Sequence, residues 1–545
     1  MESDGEIYGE FSGSLSCNGI TFADVYLRLD GSGLRGEGKL PLLGSERTFS
    51  FGLDARGNIR AESSFSIQLL GQRVTVTATF SAAEGLRVRG IFTLNVPGVN
   101  VLSSIYREQL QVGNYVSHDI HGPYTGLMSE NGEIIGGRWD VPEAFDLPEH
   151  VNADFLWFTH GWIKWEYPLD IPEDAEITSL EYIVEVASEC CKANWNWPSN
   201  LTVSINDVEI GGWTIPGDPD ASLGVAKQEN HLSPELTQYG WLTSWIVDKG
   251  GTHFGYRFRL SDKEHEKISD VTIDDLGLSP GGRLSLKLSV PPSGGLNIFG
   301  DTWGDYDQDP TLVVKYKVSG NSLPFHLTLG SDGSLSGHFQ GDIAIGDLVI
   351  HNVDLSLNDQ GINGTGEVEL LGQRVVFDLE VSRDGRITGR AEAELEIDLP
   401  DGRRIGFPKA SLELQGDGTI EGTGIFEALN HRITDCTFTV SDNLISGSGW
   451  VRIGDSGMNA SFTLSPTGWS VEGKVEKTVT VGGLMFELNV SLKASAGNIV
   501  AIATGTVSGN FLDQKVEMTI SREVDLETGE IEFEILGEGI SIDLF

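Results

Sequence analysis

Three aspartates spaced two apart, in the run Asp305-Tyr306-Asp307-Gln308-Asp309, are the first residues of this chain whose pattern could hold a ligand. In an extended segment side chains alternate, so Asp305, Asp307 and Asp309 fall on one side and repel unless a cation lies between them. Calcium, a hard ion that takes carboxylate and carbonyl oxygens, is the cofactor such a ladder would hold. The bland alternative is an exposed acidic loop in an acid-rich protein. Asp274, Asp275 and Asp301 are weaker additional oxygen donors. A second pattern is aromatic. Trp195, Trp241, Trp303 and Tyr306 lie in or beside expected loops, with Asn206, Gln238 and Asn297 nearby in sequence. Flat, apolar ring faces stack on the CH-rich faces of pyranoses, and amide groups read the hydroxyls.

Other chemistry is poorly supported. His118, Asp119 and His121 offer transition-metal ligands, but no third well-spaced histidine joins them, and a hinge loop explains them as well. The four cysteines are Cys17, Cys190, Cys191 and Cys436, with no CxxC pair for structural zinc. Cys17 and Cys436 fall in strand-like segments and read as small buried side chains. No nucleophile elbow, HExxH, phosphate loop or dinucleotide fingerprint is present. A glycosidase needs only two carboxylates, and among 80 acidic residues any pair could be nominated.

The elements that would position these residues are strands. Over residues 9–95 apolar side chains recur every second position, as in Val25, Leu27 and Leu29, then Phe49, Phe51 and Leu53, then Val74, Val76, Ala78 and Phe80. That period buries one face of an antiparallel sheet, and glycine-containing turns such as Asp30-Gly31-Ser32-Gly33 join the strands. The middle of the chain begins after a hinge expected at 111–124. It is rich in tryptophan and predicts strands at 177–186, 200–208, 283–290 and 311–318, with a solvated loop at 261–268 and a short helical turn at Pro234-Glu235-Leu236. Strands separated by long loops point to a two-sheet jelly roll.

The flanking pattern is duplicated. Laying Phe11 on Phe339 aligns Gly13 with Gly341, Val25 with Val353, Leu27 with Leu355, Gly36 with Gly364 and Leu42-Leu43-Gly44 with Leu370-Leu371-Gly372. Matched glycines and matched apolar phase require the same hairpins in the same register. A weaker third copy starts near His431, where Ile445-Ser446-Gly447-Ser448-Gly449 echoes Ile362-Asn363-Gly364-Thr365-Gly366. Outward acids at Glu367, Glu369, Glu392 and Glu394 would discourage edge-to-edge pairing. The fold expected is therefore all-β: a central jelly-roll sandwich flanked by repeated antiparallel β-meander modules. The boundaries read as module 1 over 1–110, jelly roll over 111–318, module 2 over 319–430 and module 3 over 431–545.

Ordered pieces across about 170–318 carry a resemblance. They are Trp197-Pro198-Ser199, Ile205-Asn206-Asp207-Val208-Glu209-Ile210-Gly211, Pro216-Gly217-Asp218, Thr237-Gln238-Tyr239-Gly240, Asp275-Leu276-Gly277-Leu278 and Gly295-Leu296-Asn297-Ile298-Phe299-Gly300. This segment resembles the C-terminal jelly-roll-like domain of bacterial ArsR-type winged-helix regulators. The resemblance implies a sandwich similar in shape to carbohydrate-binding modules, and structural roles for Trp197, Trp213 and Trp245. No helix-turn-helix precedes the segment, and Asp220 and Asp307 depart from the pattern, so a regulator's DNA-binding role does not carry over. The flanking repeats carry no resemblance.

Composition bounds the partners. With 80 acidic and 37 basic residues the formal charge is −43, a field that repels phosphate backbones, so no nucleic-acid partner is expected. No apolar run approaches a membrane span, so no transmembrane segment is expected. The opening Met1-Glu-Ser-Asp-Gly-Glu has no signal-peptide character, which fits a cytoplasmic protein or a secreted one with its leader removed. The expected function is non-catalytic binding of a glycan or other neutral ligand by the jelly roll, with the β-repeats as scaffold. The alternatives are a glycan-active enzyme using an Asp/Glu pair near the jelly roll and a structural protein that self-assembles as a homo-oligomer through its β-modules.

Overall fold

A computed structural model describes residues 9–544 except 18, 32, 54–58, 70–71, 82–84, 139–140, 189–197, 217–239, 258–264, 303–308, 331–333, 359, 383, 401, 429–430, 442, 496–497 and 536–537. The chain is all-β: among the described residues antiparallel strands follow one another along most of its length, with short 3-10 turns between some of them. It forms two compact units. One holds Met1–Asn95, Val101–Gly341 and Leu357–Asp359; the other holds Val96–Asn100, Asp342–Ser356 and Gln360–Phe545. Among the described residues no helix is long and apolar enough to cross a membrane.

In the first unit, seven strands from Gly9–Cys17 to Gly85–Asn95 pair in sequence order as a meander. Alternation sets their register: Val25, Leu27, Phe49, Phe51, Val74, Val76, Ala78 and Phe80 are all buried. Leu29 and Leu53, at strand ends, lie outside the core. The meander is hydrogen-bonded into the central segment, because Ser322–Leu329 pairs with Gly85–Asn95 and Thr311–Lys317 pairs with residues 104–109.

The central segment is two sheets packed on one core. One sheet is five-stranded, in the order Val208–Ile215, Ser199–Ile205, Arg283–Val290, His160–Pro168, Ser117–His121. The facing sheet includes Ala153–Phe158, Leu296–Phe299, Glu176–Ala187, Trp241–Asp248 and Thr311–Lys317. Ile163, Trp165, Leu286 and Val203 from the first sheet meet Leu180, Tyr182, Trp245 and Val314 from the second. The hinge expected at 111–124 contains a short strand. Ser117–His121 is an edge strand, held because Ile120 is buried and pairs with Gly161. The loop expected at 261–268 contains the start of a short strand, Glu266–Ser269, paired with Gly251–Arg257. The strand expected at 200–208 turns sharply at Asn206 and Asp207, both with positive φ, into a hairpin. The turn expected at 234–236 lies outside the described residues.

The second unit continues the meander. Strands from Gly361–Leu370 to Gln514–Val524 pair each with the next, and Phe407, Phe426, Phe438 and Phe462 pack together in its core. The duplication read from sequence recurs in the backbone. Asp24 and Asn352 share a positive φ of 50° and 49°, Leu43 and Leu371 one of 50° and 53°, and Asp435 in the third copy one of 50°. At the equivalent glycines, Gly36, Gly364 and Gly447, a Cβ would strike the carbonyl oxygen of Tyr26, Asp354 and Thr437 respectively. Only glycine lets the neighbouring strand approach so closely. Gly364→Val is therefore expected to destabilise the second unit by about 1–3 kcal/mol, while Asn363→Ala, one residue away and exposed, stays within about 0.5 kcal/mol. Urea unfolding followed by far-UV circular dichroism checks this.

The outward acids are where alternation puts them, and cations close on them: Lys409 lies 2.9 Å from Glu392, and Arg404 pairs with Glu394 and Glu396. Cys436 is buried, with burial pushing its thiol up to about 11, whereas Cys17 is half-buried.

Candidate functional site

Among the described residues, a cluster of three carboxylates lies at the ends of three strands of the central segment. Asp154 sits in Ala153–Phe158, a strand buried at every position. Leu296–Phe299 pairs alongside it and then turns outward at Gly300, whose N–H donates to the Asp154 carbonyl at 2.6 Å. Gly300 is required there, since a Cβ would collide with the Asp154 carboxylate. The turn brings in Asp301, exposed, and Thr302, whose N–H donates to Asp154 Oδ2 at 3.1 Å and whose hydroxyl donates to the same oxygen. Asp309 arrives from the other direction, just before Thr311–Lys317. Its position is fixed because Thr311 Oγ1 donates to its carbonyl at 2.7 Å and because Leu110 N–H and the Tyr167 hydroxyl both donate to the carbonyl of Pro310.

One carboxylate oxygen from each of Asp154, Asp301 and Asp309 lies within 4.8 Å of the other two. Asp154 is 3% exposed, and Asp309 Oδ1 is buried with no hydrogen-bond partner among the described residues. Burial holds the Asp154 carboxyl up at about 6; the Thr302 hydroxyl opposes this and the Asp301 charge adds to it. Burial, then the charges of Asp154 and Asp301, push Asp309 up to about 7. Two outcomes relieve such a site: proton uptake, or a cation that takes oxygen ligands.

The expected site residues fall in different places. Asp309 belongs to this cluster, with Asp301, but its central partner Asp154 was missed. Nothing local marks it: it is one acid in an apolar strand, brought in by pairing with a strand more than 140 residues away. Asp305, Asp307, Tyr306, Trp303, Trp195 and Gln238 lie outside the described residues. Asn206 holds the hairpin turn, donating to the Leu276 carbonyl at 3.0 Å and accepting from Ser285 N–H at 2.9 Å, and Asn297 is fully buried between paired strands. Trp241 is half-buried in a ring cluster, edge-on to Trp213 at 6.2 Å and to Tyr256 at 5.2 Å. His118 and His121 point to opposite faces of their strand: His118 meets Asp146 at 3.3 Å, and His121 meets Asp119 at 2.8 Å.

Fold and cluster together define an all-β protein in which a two-sheet sandwich, bearing a partly buried carboxylate triad, is joined to repeated antiparallel meanders. Compared with known protein families, curated proteins and solved structures, the chain matches none.

Proposed function

We propose that this is a non-catalytic binding protein whose central sandwich, a jelly roll of the kind the ArsR-type resemblance implies, recognises carbohydrate with the β-repeats as its scaffold. The observation that carries the reading is the triad Asp154, Asp301 and Asp309. Its ligand set is all oxygen, which suits calcium rather than a softer ion. Calcium takes six to eight oxygens, so three carboxylates leave positions that vicinal sugar hydroxyls can fill. The strongly negative chain supports a neutral ligand over an anionic one.

The test is binding to a panel of immobilised neutral oligosaccharides, in calcium and in chelator. Saturable binding is expected in calcium, weakened about tenfold or more by Asp309→Asn, with no product released. A panel without hits overturns the reading. The enzymatic alternative draws on the same pair, since carboxyls held near 6 and 7 are suited to proton transfer. Product release abolished by Asp154→Asn would establish it instead.

A further inference from the structure

The outer face of the five-stranded sheet carries an aromatic residue that the core does not use. In His160–Pro168, Ile163, Trp165 and Tyr167 point inward and are fully buried. Trp162, Lys164 and Glu166 have the opposite phase and so stand on the outer face, where Trp162 is half-buried. Residues directly opposite one another across antiparallel strands share a face. The register therefore places Gly212, Thr202, Ser289, Trp162 and Asp119 in one row across all five strands. With strands about 4.8 Å apart the row is roughly 19 Å long. On one side of the ring its floor is glycine, threonine and serine, none tall enough to cover an indole. On the other side stands the exposed Asp119.

We propose that this row is a carbohydrate-binding surface for an uncharged glycan, with Trp162 as the stacking platform, and that it works without calcium. The inference rests on the carbohydrate-binding reading above but uses a different face of the sandwich from the carboxylate triad. Three observations select the ligand. The neighbours of Trp162 in the row, Ser289 and Asp119, are polar rather than apolar, unlike the apolar, aromatic-rich centre of a protein interface. Near the row two lysines close on one carboxylate, Lys164 and Lys287 lying 3.6 and 4.0 Å from Asp207, and Asp119 adds an acid at the row's other end. That leaves little local field to attract an ion, while the net charge of the chain repels polyanions. Finally, the Lys287 ammonium lies 6.0 Å from the Trp162 ring centroid, where it steadies the ring and offers donors to sugar hydroxyls beside it.

The experiment measures retardation of the full chain in native gels cast with neutral soluble glucan, xylan, mannan or galactan, or with an anionic polymer, run in chelator and in calcium. In chelator, wild-type protein is expected to be retarded by at least one of the neutral polymers. Trp162→Ala is expected to bind it about tenfold more weakly. Thr202→Arg, which raises a long side chain from the floor of the row, is expected to lose binding while Lys315→Ala on the other sheet does not. Unchanged far-UV and near-UV circular dichroism separates loss of binding from loss of fold. Retardation unaffected by Trp162→Ala and Thr202→Arg overturns the inference. So does binding that appears only in calcium and vanishes in Asp309→Asn, a result that leaves the carbohydrate reading standing. Retardation by anionic but not neutral polymers also overturns it. No binding under any condition overturns both.

Discussion

Trp165→Ala is expected to lower the stability of the first unit by about 3–5 kcal/mol. Trp165 is fully buried at the centre of the sandwich, pairs with Leu286 on the neighbouring strand, and donates its indole N–H to the Val112 carbonyl at 3.1 Å. Truncation removes a fully buried indole, leaves a cavity between two sheets that cannot close on it, and strips the Val112 carbonyl of a buried partner. Trp162→Ala, three residues earlier on the opposite face, is expected to cost no more than about 0.5–1 kcal/mol, because its ring is not part of the core. Urea unfolding followed by far-UV circular dichroism makes the comparison without relying on the fluorescence of the residues removed. Equal losses for the two variants would contradict the assignment of faces on which both the sandwich and its outer row depend.

The second large effect is one of pH and calcium. In the unfolded chain Asp154 and Asp309 titrate near 4. Folding raises them to about 6 and about 7, so the folded state binds these protons more tightly. A carboxyl raised in this way contributes stability that is full below about pH 4 and is lost as the pH climbs through 6 and 7. In chelator, the pair is expected to make the first unit roughly 3 kcal/mol less stable at pH 8 than at pH 4, a value that allows for solvent screening around the exposed Asp301. Asp154→Asn with Asp309→Asn should flatten that slope, and millimolar calcium at pH 8 should restore the lost stability in wild-type protein only. Thermal unfolding at pH 4, 6 and 8, with and without calcium, checks both. A wild-type slope that survives in the double variant would place the effect elsewhere among the 80 acidic residues.

Much of the architecture was legible because it is local and repeated. Alternation at Phe49, Phe51, Val74 and Val76 placed their side chains in the core, and the match of Gly36 with Gly364 pointed to the same hairpins in the same register, though not to the close strand approach that these glycines permit. The candidate site was legible only in part. The spacing that drew attention to Asp309 says nothing of Asp154, which reaches it through sheet pairing that no local pattern encodes. Asn206 and Asn297 have the chemistry of ligand readers, but turn geometry and burial decide their use, and neither shows in residue type. Trp162 was readable. Its phase with Lys164 and Glu166, against Ile163, Trp165 and Tyr167, marks it as outward, although it lies in a strand rather than in the loops where exposed tryptophans are expected.

Linkage between the two ligands tests the central claim most directly. If calcium at Asp154, Asp301 and Asp309 helps to hold a sugar, that sugar must raise calcium affinity by the same factor. Calorimetric titration of calcium into the full chain, alone and saturated with a neutral oligosaccharide from the binding panel, is expected to show one site tightened about tenfold by the sugar and absent in Asp309→Asn. Identical calcium affinity with and without sugar, or a site that persists in Asp309→Asn, would contradict it.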